Sequence, residues 1–285
     1  MFLRAFRNTR VIIRTLRPLV PLVPLVPLVC CDEVSAGAGG RLAPKALRLK
    51  SGVAVIPKQS EVLNGCVGHD VAAADGNGRV LVVADGVGGW VQHGVNPRQA
   101  AKMCVSGVLE GARDTSVGLH PLLAKVLAEN DFAGKGTRTV TTVRLRPDAP
   151  QLECLTVGDG VLHVYRRVSH DGHHGPDGQW RLLTSVEDPE SRRAYNRPQQ
   201  VGDRVKGFVP ALGCVEVEVG DLVMLASDGF GDNLGTSDVL AALNAPAAQH
   251  ASSASQMAQY LAGLAFLRSI SCIPGSPTPF HLHRE

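Results

Sequence analysis

The sequence carries little net charge. Lys and Arg number 29 against 26 Asp and Glu, a formal charge of +3 over 285 residues. Much of that excess sits at the extreme N-terminus, which leaves the body near neutral. A protein that tracks nucleic-acid phosphates carries a basic stripe, and none is present, so no nucleic-acid partner is expected. The 7 cysteines include no C-x-x-C pair. That argues against a zinc ribbon or a disulfide framework. Cys30 and Cys31 are adjacent and too constrained for an ordinary bridge, and the cysteines read as small buried thiols. "DGVGGW" (Asp85 to Trp90) lacks G-x-G-x-x-G spacing and no Walker lysine follows, which weakens nucleotide cradling. There is no G-x-S-x-G elbow of the serine-hydrolase kind. Regular alternation of strand and helix is also missing, which argues against a doubly wound parallel sheet.

No acid precedes Asp32. Arg4, Arg7 and Arg14, with Phe2, Leu3, Phe6, Val11, Ile12 and Ile13, can line a basic amphipathic helix. An Arg-rich, acid-poor start is how mitochondrial transit peptides read; a secretory signal and an untargeted tail are the alternatives. "PLVPLVPLVPLV" follows, from Pro18 to Val29. Proline at every third position cannot continue an α-helix and suits polyproline II. The prolines, with Arg14 and Arg17, oppose a membrane-spanning helix, so no stable membrane insertion is expected. Residues 1–43 are therefore expected to be a targeting, low-complexity segment, with the folded domain over residues 44–285.

Hydrophobic residues make up 44% of the chain, enough for a sizeable core. The body opens with strand-like runs: "VAVIP", "RVLVVA", "RTVTTVRL", "QLECLTVG" and "VLHVYRR". Helical patterns follow Pro97, a residue suited to a first helical turn, and run through "HPLLAKVLAENDF". "CVEVEVGDLVMLAS" reads as two strands joined at Gly220-Asp221, and "SDVLAALN" and "SASQMAQYLAGLAFL" as helices. This order predicts an α+β fold, an antiparallel β-sandwich covered by helices. "SHDGHHGPDGQW" reads as a hairpin excursion, so His170, His173 and His174 read as solvated loop residues rather than ligands. Residues 187–207 read as a long surface loop of the kind that is often functional.

Five carboxylates follow or interrupt apolar strands: Asp70, Asp85, Asp159, Asp228 and Asp232. An aspartate at the end of a buried strand loses solvation and stays ionised only beside a strong partner, of which a cation is the simplest. Carboxylates, backbone carbonyls and water are the ligands of Mg2+ or Mn2+. Glycine after the aspartate lets the chain turn so that its own carbonyl can face an ion. A single Asp-Gly is more often a tight turn, and Asp75 in "ADGNGRV" reads as one. The repetition at Asp85 and Asp228, each behind an apolar strand, is harder to assign to turns. Trp90 reads as core or as a wall of the site.

"GHDV", "VLVVADGVGGW", "GTRTVTTVRL", "LECLTVGDG" and "GDLVMLASDGFGDNL" together resemble the metal-dependent type-2C serine/threonine protein phosphatases, and "ADGVGGW" resembles their mitochondrial branch. The resemblance implies two antiparallel sheets flanked by helices, with two Mg2+ or Mn2+ ions at one end. It implies that Asp85 bridges both ions, that the Gly86 carbonyl ligates one and that Asp228 ligates the other. Asp70 is implied to hold ion-bound waters, Asp159 a third, weaker ion, and Asp232 to support the Asp228 loop. Asp85 and Asp228 are the implied catalytic residues. The implied reaction is attack of a water on phosphorus, without a phosphoenzyme. The implied substrates are phosphoproteins in mitochondria, with the matrix as the expected site, and the chain is expected to be a monomer.

Two departures stand out. Val87 occupies a position where many members carry a histidine suited to protonating the leaving group. The family's closing Asp-bearing strand has no match before "SPTPFHLHRE", so one ligand is expected to be missing. A non-catalytic pseudophosphatase and a hydrolase of small phosphoesters are the alternatives.

Overall fold

The computed structural model describes residues 25–34, 46–57, 67–130, 132, 134–169, 178–190, 198–203, 205 and 207–270. His170, His173, His174 and the closing "SPTPFHLHRE" lie outside them.

Strands β1 (Leu25–Val34), β2 (Ala46–Val55), β7 (Val161–Val168), β8 (Gln179–Ser185) and β11 (Leu222–Ala226) form one sheet, in the order β2-β1-β11-β7-β8. Strands β3 (Val71–Ala74), β4 (Val80–Gly86), β5 (Thr137–Leu145), β6 (Gln151–Val157) and β10 (Ala211–Glu216) form the second, in the order β10-β6-β5-β4-β3, with β9 (Val201–Gly202) beside β5. All the pairings are antiparallel. The predicted sandwich is thus the observed one.

Period-two patterning assigns the faces. Leu81 and Val83 of β4 and Val223 and Leu225 of β11 join Cys31, Leu49, Val143, Cys154, Leu162 and Val164 in one buried cluster between the sheets. The alternate residues Val80, Val82 and Ala84 face outward and pack on helices α1 (Pro97–Gly111) and α2 (Leu119–Glu129). On the opposite side Leu222, Met224 and Ala226 pack on helices α4 (Thr236–Asn244) and α5 (Ala254–Ile270). Both sheets are therefore covered on both faces, which explains why β4 and β11 read as nearly continuous apolar runs. Between β11 and α4 the chain makes a single helical turn, α3 (Asp228–Gly231).

Local signals predicted several junctions well. Pro97 opens α1, and the Asn96 side chain caps it by accepting from the Arg98 N–H at 3.1 Å. Asp75 closes the β3–β4 hairpin, where its Oδ1 accepts from the N–H groups of Arg79 at 2.6 Å and Val80 at 2.8 Å. The "SHDGHHGPDGQW" excursion does connect two paired strands, β7 and β8.

The proline repeat differs from its reading. Leu25–Val34 is a strand, not polyproline II, and so lies within the sheet although it falls inside the segment set apart as residues 1–43. It pairs with β2 along its whole length, but with β11 only over Leu28–Cys30. Pro27 falls just outside that second ladder, so its missing N–H costs no bond there.

Candidate functional site

The sandwich parity aims the first two carboxylates. Asp85 continues the inward series Leu81, Val83 at the end of β4. Asp70 continues the inward series Ala74, Ala72 one residue before β3. Since Val71 pairs with Ala84, the next step in register sets Asp70 opposite Asp85. In the other sheet the ladder ends at the Val161–Ala226 pair, so Asp159, in the β6–β7 turn, and Asp228, at the start of α3, each lie two residues beyond that pair. Four predicted carboxylates from two sheets thus occupy one end of the sandwich, each half-buried.

Asp85 is the meeting point. Its carboxyl lies within hydrogen-bond reach of those of Asp70 and Asp228. Burial, followed by the negative charge of Asp70 and then Asp228, holds its pKa well above the ordinary carboxylate range. Among the described residues no set of three His, Cys, Asp or Glu side chains is already grouped so as to hold a metal ion. The donor chemistry itself fits a hard divalent cation. Crowded carboxylates that oppose one another's ionisation are the groups such an ion neutralises, and the adjacent Gly86 carbonyl adds an uncharged oxygen.

The surroundings hold this arrangement. The Ser227 hydroxyl donates to Asp70 Oδ2 at 2.7 Å, tying the start of β3 to the end of β11. Arg98, at the start of α1, donates to the main-chain carbonyls of Gly68 and Asp70. The Asp232 N–H closes the α3 turn onto the Asp228 carbonyl at 2.8 Å. Gly86 must lack a side chain, because a Cβ there would lie 2.5 Å from the Pro97 carbonyl oxygen. Trp90 is half-buried: its indole N–H donates to Thr137 Oγ1 at 2.9 Å, and Thr137 donates to Gln200 Oε1 at 2.5 Å. The His69 ring sits against Gly88, whose Cβ, if present, would lie 3.3 Å from Nδ1.

Ser227 and Arg98 escaped the sequence reading. A serine before Asp-Gly was a weak signal for the first, and the second had none. Asp188 and Gln199, inside the long loop, were also missed.

This two-sheet sandwich, with aspartates from both sheets gathered at one end, is the fold of the type-2C phosphatases. The comparisons with known proteins bear the resemblance out. The chain is 27% identical over 197 residues to "Probable protein phosphatase 2C 80" of Arabidopsis thaliana, covering 67% of this chain and 43% of that protein. It is 28% identical over 181 residues to "Protein phosphatase PTC7 homolog" of Xenopus laevis, covering 59% and 58%. Among solved structures it resembles the photosystem II phosphatase PBCP, with 25% identity, a TM-score of 0.59 and coverage of 75% and 78%. No family model matches the chain. The chain spans about half the length of the curated relatives it matches. No described helix is long and apolar enough to cross a membrane.

Proposed function

We propose that this protein hydrolyses phosphoserine and phosphothreonine in proteins, using Mg2+ or Mn2+ held at the Asp70, Asp85 and Asp228 cluster. The observation that carries this reading is the contact of Asp85 with carboxylates from both sheets. Two ions are proposed, held by Asp85, the Gly86 carbonyl and Asp228, and Asp159 is proposed to hold a third. When bound, the ions supply positive charge to the phosphoryl oxygens and lower the pKa of the attacking water. The chain's own residues do the rest. Ser227 and Arg98 hold Asp70 opposite Asp85, and Gly86 lets α1 approach the site. The Arg-rich start and the resemblance of "ADGVGGW" to the family's mitochondrial branch support a mitochondrial location, with the protein acting as a monomer on phosphoproteins.

The test compares turnover of a phosphopeptide in Mn2+ and in chelator, for the wild type and for Asp85→Asn and Asp228→Asn. Each variant is expected to lose roughly a thousandfold or more in rate, which corresponds to about 4 kcal/mol of barrier. Near wild-type turnover by either variant at saturating Mn2+ overturns the assignment.

A further inference from the structure

The long loop after β8 reaches the β6–β7 turn through Asp188, which lies near its start and is 1% exposed. Its Oδ2 accepts from the Gly158 N–H at 2.9 Å and from Gln199 Nε2 at 2.9 Å, and its Oδ1 accepts from the Glu190 N–H at 2.9 Å. Gln199, further along the loop, links Asp188 to Val209. Its Nε2 also donates to the Val209 carbonyl at 2.8 Å, and its Oε1 accepts from the Val209 N–H at 2.6 Å. A buried carboxylate satisfied by three N–H donors is rigidly oriented.

Gly158 is the residue before Asp159. The β5–β6 ladder ends at the Val140 and Val157 pair, so the Gly158 amide goes to Asp188 instead of a neighbouring strand. Gly158 has φ of 100°, a conformation that favours glycine, and a Cβ there would lie 2.5 Å from Thr139 Cγ2. Glycine leaves the turn free to adopt other conformations, and the Asp188 bond selects one. That bond is the hydrogen bond to the turn's leading amide.

We propose that Asp188 is a positioning residue for Asp159: by holding the Gly158 N–H it fixes the turn that presents the Asp159 carboxylate at this end of the sandwich. The proposal rests on the reading of this end of the sandwich as a divalent-cation site. Gln199 assists by holding Asp188 and closing the loop. Groups that orient a metal ligand typically change affinity by about 10- to 100-fold when removed.

The test uses the full chain and Mn2+ alone as the probe, with free Mn2+ read from its electron paramagnetic resonance signal. Asp159→Asn should remove the weakest class of bound Mn2+. Asp188→Asn should weaken that same class by about 10- to 100-fold and leave the tighter class intact. The double variant should bind no less than Asp159→Asn alone, because Asp188 acts through Asp159. A merely bracing role predicts a lower melting temperature in chelator with unchanged Mn2+ affinity, and that result overturns the proposal. Losses that multiply in the double variant overturn it as well. If Asp188→Asn fails to fold, Gln199→Leu serves, since it removes one donor to Asp188 and spares the Gly158 bond. It should weaken the same class by about threefold, within the range expected when a supporting hydrogen bond is lost, and no change overturns the proposal. Asp85→Asn in the same titration separates the two readings. If it binds Mn2+ as the wild type does, the cation site itself is misassigned. If it loses the tighter class while Asp159→Asn loses nothing, only the role given to Asp188 and Asp159 falls.

Discussion

Asp85 is held against Asp70 and Asp228, and burial and both neighbours oppose its ionisation. Its pKa in the folded, ion-free protein is therefore above that of the unfolded chain. Between those two values the folded state keeps a proton that the unfolded state has lost, so stability falls as pH rises through the window. Asp85→Asn removes this penalty and can donate to either neighbouring carboxylate. In chelator the variant should melt above the wild type near neutral pH, with the gap closing as pH falls toward the ordinary carboxylate range. Thermal melts over a pH series check this, and a constant gap would remove Asp85 as its source. Gly86 makes a second prediction. A Cβ would meet the Pro97 oxygen at 2.5 Å and the Pro97 carbonyl carbon at 2.7 Å, both in backbone that cannot simply rotate away. Gly86→Ala should cost about 1–3 kcal/mol, the usual range for overpacking, measured by denaturant unfolding. Both residues were legible in the sequence, because an aspartate after an apolar run followed by glycine has a local chemical logic. Ser227 and Asp188 were not, since their importance depends on partners 157 and 30 positions away in the chain.

The strands and helices were mostly readable from periodicity, and β1 was the exception. Its proline spacing suits polyproline II, but β2 offers a full-length partner and β11 a short one. Tertiary pairing overrode the local preference, as it commonly does for strands. A truncation series tests the strand. A chain starting at residue 25 should keep the cooperative melt of the full chain. A chain starting at residue 44 loses the strand between β2 and β11, exposing two edges and the space around Cys31, which is buried against the inter-sheet core. It should aggregate or melt without cooperativity, as read by circular dichroism and light scattering. Equal melting of both truncations would contradict the placement of β1. The same boundary sharpens the targeting proposal, since residues 1–24 then suffice to direct a reporter if the Arg-rich start is a leader.

Across the molecule, three apolar layers hold two sheets and two pairs of helices together. Polar groups inside these layers make stability depend on pH. His163 of β7 is buried, with Nδ1 and the Tyr165 hydroxyl 2.8 Å apart. Burial lowers its pKa from 6.5 to about 4, against a small opposing influence of Glu187. For a base depressed in this way, the unfolded chain takes up a proton first as pH falls. His163 therefore contributes fully above pH 6.5, and its contribution is lost as pH falls toward about 4. That loss amounts to about 3 kcal/mol for a shift of this size. His163→Gln should flatten the acid side of the stability profile over that window, measured by urea unfolding at several pH values. An unchanged slope would assign the acid sensitivity to other groups.

Sandwich parity, the two Asp-Gly corners and the family resemblance were all present in the residue order. They follow from short-range rules: period-two alternation, the solvation needs of a carboxylate and the turning freedom of glycine. The tertiary structure alone decided which carboxylates touch, that the proline repeat ends in a strand, and that Asp188 and Gln199 close the long loop onto the Asp159 turn. Those outcomes depend on pairing between segments far apart in the chain, where register and burial outweigh the preferences of any local run.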